Sequence, residues 1–356
     1  MKKIYFTPGP TQLNPAVASY LKSALDNDVF SISHRSDRFK DIFKQTSDNL
    51  RALLNISDDF HIFFISSATE AMERIIENCV EQRSTHLVNG AFSERFYQIA
   101  RDLKKSPHKI EAAPGNGFYA DEIQIDPESE LICITQNETS TGVSLPPDIT
   151  TKLKRRYPDK LIAVDIVSSV PYIELDYESI DCAFFSVQKG FGLPAGLGVI
   201  IINDRCIQKT ISLQERGANI GSYHNFPALL KQAEKHQTPE TPNVPGIYLL
   251  GKVCENYLHT GIEDIRNLTE RKATMLYNFF DTHPHYQSFV SEKSFRSPTI
   301  VVAETLTGSA SVIKKLADNG FIIGSGYGQF KQNHIRIANF PMHSIEELER
   351  VLHYLK

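Results

Sequence analysis

Between about residue 60 and residue 202, short apolar segments of the chain alternate with longer amphipathic ones. The apolar segments are HIFFIS, THLVN, ELICIT, KLIAVD, DCAFFS and GLGVIII. Apolar runs of four to seven residues that alternate with helical patterns are typical of α/β proteins with a largely parallel sheet. We therefore predict that such a sheet forms the centre of a large domain.

A second, smaller domain is predicted after the segment HQTPETPNVPG at 236–246, because three prolines and a glycine in eleven residues interrupt any helix. Beyond it the pattern predicts a long helical stretch over about 246–282, a strand in SPTIVVAE, a helix ending at Gly320, a strand in HIRIAN and a closing helix capped by Ser344. We assign residues 15–245 to the large domain and residues 246–356, with 1–14, to a small α+β domain.

The composition restricts the possible partners. The 356 residues include 38 basic and 42 acidic ones, for a net charge of −4, and no long basic run. Nucleic acid and an anionic membrane surface are therefore poor candidates. No apolar segment approaches the roughly 20 residues of a membrane span, so we expect a cytoplasmic protein that acts on small molecules. Five cysteines without a CxxC pair predict small buried side chains and no metal site.

Polar residues follow four of the predicted strands, at the carboxyl edge where open parallel sheets bind ligands. Ser67, Ala68 and Thr69 follow HIFFIS, Thr139 follows ELICIT, Asp165 ends KLIAVD, and Lys189 follows DCAFFSV. We expect these groups to converge on one site.

Each of these residues has a functional interpretation and a plain one. Ser67–Thr69 opens a helix, which could bind a phosphate through free N–H groups and hydroxyls, or could be an ordinary N-cap. Asp165 leaves a buried strand and requires a cationic partner, or it caps a turn. Lys189 is either an exposed lysine or a desolvated one with a lowered pKa, which is what a Schiff-base lysine requires.

Several motifs together resemble one known family. AVDIVSS, followed 24 residues after its aspartate by the lysine of SVQKGFG, occurs with FTPGPTQLNP, ISSATEAME, NGAFSER, NETSTGV and HIRIANF. These motifs are similar to the class V, fold-type I aminotransferases that use pyridoxal 5′-phosphate, and in particular to their phosphoserine and alanine–glyoxylate/serine–pyruvate branches. The resemblance implies a large domain with a mostly parallel seven-stranded sheet between helices, and a smaller α+β C-terminal domain.

The resemblance also implies roles for individual residues. Lys189 would form the Schiff base with the cofactor, and Asp165 would pair with its protonated ring nitrogen, which stabilises the carbanion formed at Cα. Phe92 would stack on the ring and Thr139 would donate to its phenolic oxygen. The cofactor phosphate would be bound by Ser67, Ala68, Thr69 and Gln188. Thr241 matches a residue that reaches this phosphate from the partner subunit, which implies a homodimer, although Glu240 stands where the family has an asparagine.

The predicted substrate-binding residues match the phosphoserine branch of the family only in part. Arg336 in HIRIAN matches the arginine that binds the substrate α-carboxylate, although a strand arginine can also pair with a surface acid. His34 and Arg35 resemble the segment that contacts the phosphate of phosphoserine, although this stretch can also be a polar loop before a helix capped by Ser33 or Asp37. The second His-Arg pair of that branch is replaced by GSGYGQFKQNHIRI, which is closer to the serine–pyruvate branch.

We therefore expect an aminotransferase that transfers the amino group of phosphoserine to 2-oxoglutarate in serine biosynthesis. An alanine–glyoxylate or serine–pyruvate type aminotransferase is the alternative. A pyridoxal-phosphate lyase or cysteine desulfurase is a further alternative, because one fold hosts several reactions.

Overall fold

The computed structural model describes residues 3–356. Its strands are β1 Ile4–Phe6, β2 Phe60–Ile65, β3 Ser84–Val88, β4 His108–Glu111, β5 Leu131–Thr135, β6 Asn137–Glu138, β7 Val143–Ser144, β8 Leu161–Asp165, β9 Cys182–Ser186, β10 Gly198–Asn203, β11 Tyr286–Ser288, β12 Ile300–Thr305, β13 Phe321–Ser325 and β14 His334–Ala338. Its α-helices are α1 Val17–Asp26, α2 Asp37–Leu54, α3 Ala68–Cys79, α4 Ala91–Asp102, α5 Asp148–Arg156, α6 Asp204–Glu215, α7 Phe226–Ala233, α8 Val244–Thr260, α9 Ile262–Thr282, α10 Ser309–Asp318 and α11 Ile345–Leu355.

A seven-stranded sheet forms the centre of the larger part, in the order β2-β10-β9-β8-β5-β3-β4. Strand β10 runs antiparallel to both of its neighbours, and the pairs from β9 to β4 are parallel. The six apolar segments that the sequence singled out are six of these strands, so the predicted α/β architecture is confirmed. The seventh, β4, is the edge strand HKIE, which contains a single apolar residue, Ile110, and therefore no apolar run.

Helices cover both faces of this sheet, which explains why its inner strands are largely apolar. In β9, Ala183 and Phe185 pack into the cluster that contains residues of α2 and α8. The alternating side chains Cys182 and Phe184 pack on the other face, with residues of α3 and α6. Successive side chains of a strand point to opposite faces, so an unbroken apolar run marks a strand that is buried on both.

A second, five-stranded sheet has the order β1-β13-β14-β12-β11. The N-terminal strand β1 joins it by pairing in parallel with β13, so both ends of the chain contribute to this sheet. Helices α9, α10 and α11 contribute to its apolar cluster. Helix α8 packs instead on α2, where the Thr46 hydroxyl donates to the Ile247 carbonyl. The division of the chain at residue 245 stays a prediction.

The long helical stretch predicted over 246–282 is confirmed. It is two helices, α8 and α9, which meet at Gly261 with a φ of 90°. This left-handed conformation ends α8, and glycine adopts it without a steric penalty. The prediction of a Ser344 cap is confirmed, since its hydroxyl accepts from the Glu347 N–H and the Glu347 side chain accepts from the Ser344 N–H.

Candidate active site

The strand register brings the predicted polar residues to one edge of the large sheet. Gly198 of β10 lies opposite both Ile65 of β2 and Ser186 of β9, so the segments after β2 and β9 leave the sheet at the same level. Asp165 of β8 lies opposite Phe184 of β9. Neighbouring strands are about 4.8 Å apart, so these chain segments leave the sheet within roughly 15 Å of one another.

Lys189 lies at the centre of this edge and is only 6% exposed. Its Nζ donates to the Thr139 hydroxyl at 2.7 Å and lies 5.0 Å from the centre of the Phe92 ring. Burial lowers the pKa of this ammonium group, because desolvation disfavours the charged form. The structure therefore places Lys189 as a desolvated amine and not as an exposed lysine.

The N-terminal motif FTPGP provides room for this lysine. Gly9 has a φ of +149°, and a Cβ atom added there would lie 2.8 Å from Cε of Lys189. Thr11 N–H donates to the Gln188 carbonyl, and Asn14 N–H donates to the Gly192 carbonyl. The segment that leaves β1 thus packs along the lysine loop on both sides of Lys189.

Asp165 is the buried acid of the site, with 4% exposure. Its Oδ1 accepts from the Val167 N–H at 2.9 Å. Burial raises the pKa of this carboxyl group, whereas the positive charge of Lys189 lowers it. A buried carboxylate with so little hydrogen bonding gains stability from any cation placed beside it.

A hydrogen-bond chain orients the Thr139 hydroxyl. Thr139 donates to the Ser168 hydroxyl at 3.0 Å, and Ser168 donates to the Asn137 carbonyl at 2.7 Å. Because its proton is engaged by Ser168, Thr139 presents a lone pair to Lys189. Ser168 belongs to the motif AVDIVSS, and only the structure shows that it supports Thr139.

Phe92 is positioned by a buried glutamate that sequence reasoning missed. The Glu138 carboxylate accepts from the backbone N–H groups of Phe92, Ser93 and Ser140 at 3.0–3.3 Å. It caps the first turn of α4, where a negative charge is favoured. The sequence feature that could have identified Glu138 is its charge, because it is the charged residue of the otherwise uncharged motif NETSTG and directly precedes Thr139.

Arg336 enters the site from the small sheet. Its Nε donates to the Ser325 carbonyl at 2.7 Å and its Nη1 to the Thr139 carbonyl at 3.3 Å. The ring of Tyr327 lies 5.4 Å from the guanidinium carbon and 5.9 Å from the Phe92 ring. Main-chain carbonyls, and not a surface acid, therefore hold this arginine near Lys189. Tyr327, in the loop that departs from the family pattern, is a second residue that sequence reasoning missed.

Some of the groups at the start of α3 already make hydrogen bonds within the chain. Ser67 caps the helix by accepting from the Glu70 N–H at 3.1 Å, and the Ala68 N–H donates to the Ser186 hydroxyl at 2.6 Å. Thr69 is exposed. Ser67 and Thr69 line a cavity of about 490 Å³ together with Thr241 of the same chain.

The remaining two predicted contacts, His34 and Arg35, lie beside the segment that leads to Thr241. The guanidinium group of Arg35 donates to the carbonyls of Thr238 and Pro239 at 2.8 and 3.1 Å. His34 is half-buried beside it, and burial lowers its pKa. Within one chain, this pair therefore contacts the segment before Thr241.

The helix after this pair is α2. Its cap is Ser36, which accepts from the Phe39 N–H at 3.3 Å, and not Ser33 or Asp37 as predicted.

The predicted burial of the five cysteines is confirmed, and all five are free thiols. A cysteine desulfurase requires an accessible nucleophilic thiol, so their burial disfavours that reaction. Separately, residues 3–356 contain no helix with the length and apolarity needed to cross a membrane.

Comparisons with known proteins agree on one family. The model of the family described as aminotransferase class-V matches residues 4–332. A solved phosphoserine aminotransferase from Cytophaga hutchinsonii is 45% identical, with a TM-score of 0.97 over 99% of this chain and 98% of that one. The curated phosphoserine aminotransferase of Rhodococcus opacus is 24% identical over 97% of this chain and 92% of its own length.

A phosphoserine aminotransferase from Trichomonas vaginalis, solved with pyridoxal phosphate bound, is 17% identical over 99% of both chains. Its TM-score of 0.80 shows that it shares the fold.

Proposed function

Because this chain belongs to the class-V aminotransferase family, we propose that it is a phosphoserine aminotransferase, with 2-oxoglutarate as amino acceptor and pyridoxal 5′-phosphate as cofactor. The observation that carries the choice of substrate is the 45% identity, over nearly the full length, with the Cytophaga hutchinsonii protein of that name. The Rhodococcus opacus relative has the same name.

The residues around Lys189 fit this cofactor. Lys189 would hold it covalently through Nζ, and Asp165, a buried carboxylate that lacks a strong partner, suits a protonated ring nitrogen. Phe92 would lie against the ring, and Thr139 would turn its hydroxyl proton from Ser168 to donate to the phenolic oxygen. The start of α3, with Ser67 and Thr69, would bind the phosphate. When bound, the cofactor supplies an electron-withdrawing ring that delocalises the charge left by loss of the Cα proton.

The protein's own groups bind the substrate and move its proton. Nζ of Lys189 would take the proton from the substrate Cα, since its lowered pKa keeps the neutral amine accessible near physiological pH. Thr139, at 2.7 Å, orients that amine. Arg336 would bind the α-carboxylate, because its fork of donors matches a carboxylate in geometry and charge. The burial of Lys189 and Asp165 keeps water away from the reacting atoms.

Recognition of the side-chain phosphate is assigned to His34 and Arg35. The exposed guanidinium group of Arg35 already donates to the segment before Thr241, so the pair would serve two purposes. It would order that segment and present positive charge to the substrate. Charge-assisted hydrogen bonds to a dianion contribute about 1.5–3 kcal/mol each.

A half-reaction screen tests the substrate. The holoenzyme is mixed with phosphoserine, alanine, serine or glutamate, and conversion of the bound cofactor is followed by its visible absorbance. We expect phosphoserine and glutamate to react efficiently. Efficient reaction with alanine or serine, and none with phosphoserine, would replace our proposal by the alanine–glyoxylate or serine–pyruvate alternative.

The double variant His34→Ala/Arg35→Ala tests the phosphate contact. It should raise KM for phosphoserine sharply and change the reaction with glutamate little. Gln237→Ala is the matched control, because it removes one hydrogen-bond partner of Arg35 and leaves the charge in place. Equal losses for both donors in the double variant would exclude a phosphate-specific role.

We also propose a homodimer in which Thr241 reaches the cofactor phosphate of the partner subunit. Tyr223 supports an interface beside Thr241, because this large aromatic residue is 53% exposed and lines the same cavity as Thr241. Light scattering should show a dimer, and dilution to the monomer should release the cofactor. A monomer that retains the cofactor with unchanged affinity would exclude shared sites.

A further inference from the structure

His224 is bound on both ring nitrogens by carboxylates from distant parts of the chain. Its Nδ1 contacts the Glu70 carboxylate, and its Nε2 lies 2.9 Å from Oε2 of Glu240. The side chain of His224 is only 7% exposed. The histidine thus connects helix α3 to the segment that carries Thr241.

This arrangement requires a protonated ring. A neutral imidazole donates from one nitrogen only, and its other nitrogen would direct a lone pair at a carboxylate, whereas an imidazolium donates to both. Hydrogen bonds to the two glutamates outweigh the opposing effect of burial and raise the pKa of His224 to about 9. Bonds from His224 and Ser66 likewise outweigh burial and lower the pKa of Glu70 to about 2.

Both glutamates occupy positions that matter for the cofactor phosphate. Glu70 lies in the first turn of α3, where its N–H is capped by Ser67 and its carboxylate accepts from the Ser66 N–H at 2.9 Å. Glu240 directly precedes Thr241, and its carbonyl accepts from the Thr238 hydroxyl at 2.7 Å. His224 therefore fixes the position of the Thr241 segment, which is proposed to reach the cofactor phosphate of the partner subunit, relative to Ser67 and Thr69, which are proposed to bind the phosphate in their own chain.

The carboxylates around this cavity oppose the binding of an anion, so a positive charge on His224 is needed to offset them. Its charged lining residues, within the described part of the chain, are Glu70, Glu73, Glu240 and His224. The ring of Tyr223 lies 4.1 Å from that of His224, and His34 is close enough to Glu240 for its pKa to respond to that charge. A phosphate dianion in this cavity meets three carboxylates, and His224 supplies the positive charge among the lining residues.

We propose that His224 is a positioning residue for the cofactor phosphate: as an imidazolium bridging Glu70 and Glu240, it holds the Thr241 segment against the start of α3 and offsets the carboxylates there. This inference rests on the proposed cofactor site. It predicts that phosphate recognition, and not recognition of the ring, depends on the charge of His224.

The experiment compares two probes that bind without a Schiff base: pyridoxamine 5′-phosphate and pyridoxamine. Their dissociation constants are measured by calorimetry on the cofactor-free full chain from pH 7.5 to 10, a range in which the phosphate stays a dianion. The ratio of the two constants isolates the phosphate, because effects on the ring and on Lys189 are common to both probes.

We expect the wild-type preference for the phosphorylated probe to fall as the pH rises through about 9. In His224→Gln the preference should be about tenfold lower at pH 7.5 and independent of pH, since the neutral amide supplies no charge. His224→Arg, which keeps a charge and donors for both glutamates, should retain the preference at every pH. His61→Gln is the matched control, because His61 pairs with Asp204 at the opposite end of β2.

Two results would overturn the inference. One is a wild-type preference that does not change between pH 8 and 10, a measurement that depends on no variant. The other is an equal loss of affinity for both probes in His224→Gln, which would show a general structural role. Failure of the wild-type protein to bind either probe would instead refute the proposed cofactor site itself.

Discussion

Arg336 offers the sharpest test of substrate binding, because the structure shows which of its donors are free. A guanidinium group has five N–H donors. Two of them are engaged, one at the Ser325 carbonyl and one at the Thr139 carbonyl. The remaining three, on Nη1 and Nη2, include the pair needed for a bidentate contact with a carboxylate.

The expected loss follows from this count. Two charge-assisted hydrogen bonds contribute about 3–6 kcal/mol together, so Arg336→Ala should lower kcat/KM for α-amino acids by about 10²- to 10⁴-fold. Arg336→Lys keeps the charge but loses the planar fork and the contact with Ser325. We expect it to lose about half of that free energy, a factor of about 10–100.

The assay compares phosphoserine with O-phosphoethanolamine, which has the same amine and phosphate but no α-carboxylate. Single-turnover conversion of the bound cofactor gives kcat/KM for each donor. The wild-type protein should prefer phosphoserine by the factor that Arg336→Ala loses, and in this variant the preference should nearly vanish. Arg350→Ala is the matched control, since Arg350 also stacks on an aromatic ring of the small sheet, that of Phe321.

The reasoning would be refuted if Arg336→Ala slowed the two donors equally. The arginine would then support the structure of the site without binding the α-carboxylate.

Three further predictions concern buried charged groups. Lys189→Ala should fold normally but show neither turnover nor a borohydride-reducible cofactor adduct; turnover at the wild-type rate would disprove its role. Asp165→Asn should keep the cofactor and lose up to about 10³-fold in kcat, since about 4 kcal/mol separates contacting unit charges from a neutral pair at an effective dielectric constant of 20; activity within a few-fold of wild type would contradict this. Burial lowers the pKa of Lys272, whose Nζ donates to the carbonyls of Phe340 and His343, to about 8. Because the unfolded chain holds this proton up to a pKa of 10.5, the free energy of unfolding should rise by roughly 3 kcal/mol as the pH increases from about 8 to 10.5. Urea unfolding at both pH values should show this rise in the wild type and not in Lys272→Met. An equal change in the free energy of unfolding of the two proteins between these pH values would rule out the contribution of Lys272.

The sequence alone determined the class of fold and pointed to the central groups of the proposed site. Six apolar runs predicted six strands of the large sheet, because strands buried on both faces must be apolar along their length. Lys189 and Asp165 were identifiable because a charged residue at the end of such a strand is costly unless it has a partner or a task. The edge strand β4 could not be found in this way, since three of its four side chains are polar and none of the four is buried.

Only the tertiary structure decided which residues surround these groups. Glu138 caps the helix of Phe92, Arg35 contacts the segment before Thr241, and His224 reaches Glu70 across 154 positions of the chain. Nothing local in the sequence marks such pairs. Apolar periodicity reports the burial of each residue within its own strand or helix, whereas contacts between distant residues depend on strand register and loop path, which are set by the packing of the whole chain.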